Sequence, residues 1–199
     1  MPAARTPPLP PEDFHRRAVV TVTINRRRLL YRIHRNEHAA LFYGRTGANR
    51  FDAPDQDYRV CYLGLSLYAA FAETFLRRPG TTLIDWQDLA ARSVTVLRVA
   101  KTLRPARLYG PGLSKMGATA AVTHGPHAIT QSWSTALLAH PKGPDGVAYR
   151  AKHDDDEKCL ALFERKSSPF ELVSTTSLVD DPKTLGELLD HYDVGLSGT

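Results

Sequence analysis

One carboxylate, two arginines and a tyrosine carry most of the chemical capacity of this 199-residue chain. Glu73 lies in the apolar string AAFAETFLR, where Leu67, Ala70, Phe71 and Phe75 recur at helical spacing and form a stripe to be buried. A carboxylate in that setting is a candidate for partial burial, and a buried carboxylate requires a partner. Residue types alone leave Glu73 open to two plainer readings, an exposed helix glutamate or a structural pair with an arginine. Arg32 lies in the strand-like run LLYRIHR, Arg50 in the glycine-bearing loop GRTGANRF, and Tyr62 in VCYLG, eleven residues before Glu73. For Arg50 a clamp on its own loop and a contact to phosphate are both open.

Other candidate motifs do not hold together. Gly110, Gly112 and Gly117 follow GxGxxxxG rather than GxGxxG, and Ala118 stands where a phosphate loop needs lysine, so these glycines read as turns. The run His153-Asp-Asp-Asp-Glu157 has ligand-type side chains, but consecutive residues in a loop diverge, and a solvated hairpin is the simpler reading. His34 and His38 would share a face only in a helix, and their surroundings read as strand. The chain has no serine nucleophile elbow, no HExxH and no CxxC, and no metal is expected. Cys61 and Cys159 sit in apolar runs as core thiols, and Trp133 reads as a core residue.

These side chains depend on the elements around them. Ala18–Ile24, Leu29–His34, Tyr58–Gly64, Val94–Ala100, Ala106–Tyr109, Val147–Arg150 and Cys159–Phe163 have strand character. Ser66 reads as the N-cap of a helix over LYAAFAETFLR, stopped by Pro79-Gly80. Asp85 opens a short helix, Thr130–Ala139 forms another, and Asp181-Pro182 starts a last one. Helices interrupt the strands without regular alternation, which predicts an α+β fold with mixed β-sheets and inserted helices in a single domain over 18–199. The proline-rich stretch 1–17 is expected to be a flexible N-terminal arm.

A composition of 42% hydrophobic and 24% charged residues is that of an ordinary globular chain. The formal charge of +5 favours an anionic ligand without the concentrated basic run of a dedicated nucleic-acid binder. The apolar stretch Cys61–Ala72 is too short to span a bilayer, the N-terminus lacks a secretory signal, and a reducing cytoplasm is the expected location.

Taken in order, Tyr31-Arg32, Asn49-Arg50-Phe51-Asp52, Cys61-Tyr62-Leu63, Ala70-Phe71-Ala72-Glu73, Ile129-Thr130-Gln131-Ser132-Trp133 and Asp145-Gly146-Val147-Ala148-Tyr149 resemble the RES family, named for an Arg, a Glu and a Ser. The resemblance runs from about Leu30 to Phe163. It implies a fold similar to ADP-ribosyltransferase toxins and a toxin that degrades NAD+, neutralised by a helix-turn-helix antitoxin. It also implies Arg32, Tyr62 and Glu73 as the catalytic set. Where relatives carry serine, this chain has Ala128 or Thr130, and Ala151. A hydroxyl would then come from Thr130, Ser132 or Ser134, with Thr130 favoured because it lies nearest the loop-to-helix junction.

The implied roles suit the residue types. Cleaving the nicotinamide–ribose bond leaves positive charge on the ribose, which a carboxylate at Glu73 would stabilise in the transition state. Tyr62 offers a flat surface for nicotinamide, while Arg32, with Arg50 as a second candidate, offers forked donors for the pyrophosphate. The acceptor of the ADP-ribosyl group, whether inorganic phosphate, water or a protein side chain, is left open. Two readings of other classes also stand: a nucleic-acid-binding module built on Arg26-Arg27-Arg28 with Arg16-Arg17, and an inactive relative that only binds a partner, kept open by Ala151.

Overall fold

The computed structural model describes residues 9–198. In chain order its strands and helices are β1 (Leu29–Arg35), β2 (Val60–Gly64), α1 (Leu67–Phe75), β3 (Leu83–Asp85), α2 (Trp86–Ala90), β4 (Arg92–Val99) and β5 (Ala106–Arg107). Then follow α3 (Pro111–Met116), α4 (Ala121–His124), α5 (His127–Leu138), β6 (Gly146–Ala151), β7 (Asp154–Phe163), β8 (Phe170–Ser177), α6 (Pro182–His191) and β9 (Gly195–Ser197). The seven-stranded sheet has the order β5-β6-β7-β2-β1-β4-β8, and β3 pairs with β9 in a separate parallel pair. The β5–β6 pair is parallel and the other pairings of the large sheet are antiparallel. This is the expected α+β single domain with mixed sheets.

The join between β1 and β2 sets the architecture. β1 pairs with β4 along its whole length, from Leu29 with Arg98 to Arg35 with Arg92, and β2 pairs with β7 from Val60 with Phe163 to Gly64 with Cys159. Between β1 and β2, among the described residues, one register pair remains, Tyr31 with Gly64. The large sheet is therefore two smaller ones hinged at that pair, with the strands splayed beyond it.

Helix α1 packs across the hinge. Ser66 caps it through a hydrogen bond from Ala69 N to Oγ at 2.9 Å, as its residue type requires of a helix start. Its stripe of Ala70, Phe71, Ala72 and Phe75 joins Ile33, Leu89, Leu185 and Leu188, which draws β1, α2 and α6 into one cluster. A second cluster lies on β2, β6 and β7 under α5, around Trp133, Leu137, Val147 and Ala161. On the opposite face of the sheet Leu30, Cys61, Leu63, Leu97 and Leu160 are covered by loop residues such as Leu41 and Tyr43. Both cysteines are free and buried, and burial pushes the Cys61 thiol up to about 11, which suits a packing role.

Several sequence expectations need correction. Ala18–Ile24 is extended but forms only isolated bridges, Thr21 to Ala106 and Ile24 to Leu103. Its partner segment contains Pro105, which has no N–H to continue a ladder. Residues 1–8 of the expected arm lie outside the described residues. Over 9–17 the chain is docked rather than loose: Phe14 is buried, its ring 5.1 Å from Trp133 and 5.2 Å from His140. Helix α5 begins at His127, ahead of Thr130, and Gly110 and Gly117 prove to be the caps of α3. β7 extends back to Asp154, so the acidic run forms the start of a strand after a tight hairpin.

His34 ties three strands together. Its Nδ1 donates to Arg35 O at 2.9 Å, which leaves Nε2 to accept from the Thr95 hydroxyl at 2.8 Å, and Thr175 in turn lies 2.8 Å from Thr95. Burial holds its pKa below the ordinary value, with the charges of Arg32, His38 and Arg92 adding to the effect. The native imidazole is thus neutral where the unfolded one already binds a proton, and stability is lost as pH falls below about 6.5. Urea midpoints at pH 7.5 and pH 5.5 should differ more for the wild type than for His34→Gln.

Gly64 explains how closely α1 approaches the hinge. A Cβ there would lie 2.6 Å from Ser66 O and 2.7 Å from Ala70 N, both backbone atoms that cannot step aside. Gly64→Ala should therefore push α1 off the strand and destabilise the fold by about 2 kcal/mol, measured by urea denaturation.

Candidate active site

The splay between β1 and β2 opens a cleft of about 1150 Å³, lined from one side by Tyr31–Arg35 and from the other by Val60, Tyr62 and Gly64. Four of the residues singled out from sequence line it: Arg32, Arg50, Tyr62 and Glu73. Its lining is rich in cations, with Arg35, Arg77, Arg78, Arg92 and Lys152 joining Arg32 and Arg50 and outnumbering the carboxylates Glu73, Asp85 and Asp88, the last of which pairs with Arg92, a setting that favours an anionic ligand.

Glu73 sits on the flank of α1 that meets the β6–β7 hairpin. Lys152 N donates to its Oε1 at 2.9 Å, and the Tyr149 hydroxyl donates to its Oε2 at 3.3 Å. Burial, reinforced by the charge of Glu73, holds the Tyr149 hydroxyl protonated well above the ordinary range, so the donor is permanent. Each oxygen spends one lone pair on these contacts, and the carboxylate keeps the rest for a ligand. This is the partner that the apolar context of Glu73 called for, and it is a tyrosine and a backbone amide rather than an arginine.

Arg32 is half-buried and its guanidinium is anchored on the following loop, where Nη1 donates to Ala39 O at 2.8 Å and Ala40 O at 3.0 Å. Burial lowers its pKa, yet a guanidinium stays charged throughout the physiological range. Only Nη1 takes part in these bonds, which leaves donors for the cleft.

Tyr62 points its hydroxyl out of reach of a ligand. It donates to Asp52 Oδ1 at 3.0 Å and accepts from Phe51 N at 2.9 Å, and burial beside Asp52 raises its pKa well above the ordinary value. The ring face is what remains for the cleft. Asp52, fully buried, also receives Thr46 Oγ1, Asn49 N and Asn49 Nδ2 on Oδ2 at 3.0–3.1 Å. Gln131 of α5 donates to Gly47 O at 2.8 Å and Asn49 O at 3.1 Å, fixing the same loop from outside. Arg50 leaves the loop toward α4 and donates to Gly125 O at 3.2 Å, a bond outside its own loop, while it lines the cleft.

The hydroxyls expected on α5 are not brought to the site. Thr130 is fully buried with its Oγ1 3.4 Å from Pro126 O, Ser134 is fully buried on Phe51 O at 2.8 Å, and Ser132 bonds Ala128 O at 2.8 Å. None of the three lines the cleft. The helix begins one turn earlier than read, which turns His127 toward the opening in place of Thr130. Threonines 74, 81 and 82 are the aliphatic hydroxyls in the lining.

Three contributors were missed as site residues. Tyr149 and Asp52 stood in the quoted motifs without a role, and only their contacts supply one. His153, set aside with the acidic run, lines the cleft beside Lys152 and has a buried Nε2 without a hydrogen-bond partner. The remaining acidic residues of that run turn elsewhere, Asp154 to the Tyr192 hydroxyl at 2.9 Å. Among the described residues no group of three His, Cys, Asp or Glu is placed to hold a metal ion, and no helix is long and apolar enough to cross a membrane. Of the Arg26–Arg28 run, Arg28 is engaged on Leu65 O at 2.9 Å and Arg27 occupies a tight turn with φ of 69°.

The fold and this constellation place the chain in a known class. The RES domain model matches residues 29–182, and the chain belongs to that family. A relative from Sinorhizobium fredii (strain NBRC 101917 / NGR234), described as "Probable toxin y4kH", is 26% identical over 116 residues, 58% of this chain and 91% of its own. A chain of the crystal structure of the M. tuberculosis MbcT–MbcA toxin–antitoxin complex superposes with a TM-score of 0.68. That match covers 89% of this chain and 97% of the other at 17% identity, a likeness of fold.

The loop that carries Arg50 stands or falls with Asp52. Asp52→Ala strands the donors of Tyr62, Thr46 and Asn49 in a buried site, and should cost about 3 kcal/mol in chemical denaturation. Limited proteolysis should then cut first within residues 45–53.

Proposed function

We propose that this chain is the toxin of a toxin–antitoxin pair and acts by cleaving the nicotinamide–ribose bond of NAD+. The observation that carries the reading is the carboxylate of Glu73, held by Tyr149 and Lys152 at the wall of an arginine-rimmed cleft. Membership of the RES family and the likeness to two proteins, one a probable toxin and one a chain of a toxin–antitoxin complex, support it.

In this mechanism the pyrophosphate lies on Arg32, with Arg50 as a second contact, and the nicotinamide rests against the ring of Tyr62. The bond from ribose C1′ to the nicotinamide nitrogen breaks, its electron pair leaving with neutral nicotinamide. The positive charge that develops on the ribose faces Glu73, whose carboxylate also accepts from a ribose hydroxyl. Because Glu73 is already fixed, it stabilises that charge without having to reorganise at the moment of reaction. An oxygen of inorganic phosphate or of water then bonds to C1′ and gives up a proton where it carries one. Arg32, Arg50 and Tyr62 act by placing the scissile bond, so their contribution is positional. No hydroxyl of α5 takes part.

An enzyme that removes NAD+ in the cytoplasm must be silenced until needed, and we place the antitoxin, a helix-turn-helix protein, over the mouth of the cleft, with no direct part for nucleic acid.

Glu73→Gln keeps the size of the side chain and removes its charge. It should fold like the wild type by circular dichroism and release nicotinamide from NAD+ roughly 100-fold more slowly, a loss of about 3 kcal/mol of transition-state stabilisation. Near wild-type release by the folded variant would remove Glu73 from the mechanism. Product identification with and without inorganic phosphate decides between phosphorolysis and hydrolysis.

A further inference from the structure

One aromatic ring at the cleft is left facing solvent. Phe42 is 44% exposed, and it is the one aromatic residue among the large exposed hydrophobic side chains of the described residues. It lines the cleft on the β1 side. The His38 ring stacks on it with centroids 5.6 Å apart and planes 11° from parallel, and the Arg32 guanidinium carbon lies 5.9 Å from its centroid. The bonds from Arg32 Nη1 to Ala39 O and Ala40 O clip the segment between His38 and Phe42 onto β1. Gly44, at the far end of that segment, is bridged to Val60, and a Cβ there would come within 3.3 Å of Phe42 Cε1. The ring is thus held from both ends of its loop, with His38 stacked on it and nearly half of its surface exposed at the cleft.

An exposed ring beside a phosphate-seeking guanidinium is the pairing that nucleotides use: the base stacks on the ring and the phosphate takes the cation. We propose that His38 and Phe42 form a stacking platform for the adenine end of the dinucleotide whose pyrophosphate lies on Arg32. This assignment rests on the NAD+ reading given above and adds a subsite to it. The choice of end follows from the fold. Glu73 is fixed by the β6–β7 hairpin on one side of the splay, while Phe42 is fixed to β1 on the other. With the nicotinamide ribose at Glu73, the adenine falls to the β1 side, where Arg32 and Phe42 stand together. A stacking face reads a planar base by its surface rather than by hydrogen bonds, so the platform should accept purines broadly.

The test compares the full-length wild type with Phe42→Ala, Phe42→Tyr and His38→Ala. Calorimetric titration with AMP and, separately, with nicotinamide mononucleotide probes the two ends of the dinucleotide, alongside the steady-state kinetics of NAD+ consumption. Phe42→Ala should weaken AMP binding about tenfold, within the range expected for loss of one stacked base. It should raise the KM for NAD+ by a similar factor, with the loss falling on KM more than on kcat, and Phe42→Tyr should restore both. His38→Ala should give a smaller effect in the same direction. Binding of nicotinamide mononucleotide should stay within about twofold of wild type. Equal weakening of both mononucleotides by Phe42→Ala, or of nicotinamide mononucleotide alone, overturns the assignment. So does a wild type that fails to bind AMP, or a Phe42→Ala variant that binds it unchanged. If the wild type binds AMP through Phe42 yet consumes no NAD+, the platform stands and the catalytic reading fails.

Discussion

The single register pair between β1 and β2 is the constraint on which the cleft depends. Two antiparallel strands paired along their length leave no space between them, and side chains on opposite faces of a sheet do not meet. Here the ladder stops at Tyr31 and Gly64, and the strands diverge. Arg32 and Tyr62 both line the opening, each from its own lip of the divergence. The remaining elements hold that geometry: β4 stiffens one lip, β7 the other, and α1 lies across the hinge with Gly64 allowing backbone to touch backbone.

Two carboxylates with different surroundings divide the work inside this frame. Asp52 is fully buried, and its hydrogen bonds to Tyr62, Thr46 and Asn49 spend its capacity on internal donors, which makes it the organiser of a loop. Glu73 is half-buried and accepts from two donors, one on each oxygen, so that it is oriented yet unsaturated. A charge presented in that way, beneath a rim of arginines, attracts an anionic ligand at the rim and a cationic centre at the wall.

The hydroxyl groups show how a helix start can move a site. Reading α5 from Thr130 put that residue at the first turn, where free amides and side chains face a ligand. The observed start at His127 advances Thr130 to the fourth position, where it is fully buried. Pro126 fixes the start, since the residue before a helix can be proline while its interior cannot. The same helix instead supplies Gln131 and Ser134 as props for the loop.

Local chemistry was enough to locate α1, α2 and α6, whose caps Ser66, Asp85 and Asp181 each make the side-chain bond their residue types favour, and to mark Glu73 as a carboxylate in need of a partner. It also singled out Arg32, Arg50, Tyr62 and Glu73, which line the cleft, while setting aside His34, His38 and His153, which line it as well. Strand β8, by contrast, left no mark in the sequence reading, because it is an edge strand with most of its residues exposed and little alternation to detect. The partners of Glu73 were equally invisible. Tyr149 and Lys152 lie 76 and 79 residues away along the chain and meet it only because antiparallel pairing of β6 with β7 returns the hairpin to α1. Spacing encodes contacts within one element, through a period of 3.6 or 2 residues. Contacts between elements are set by where the sheet pairs and where it stops pairing, and that was decided in three dimensions.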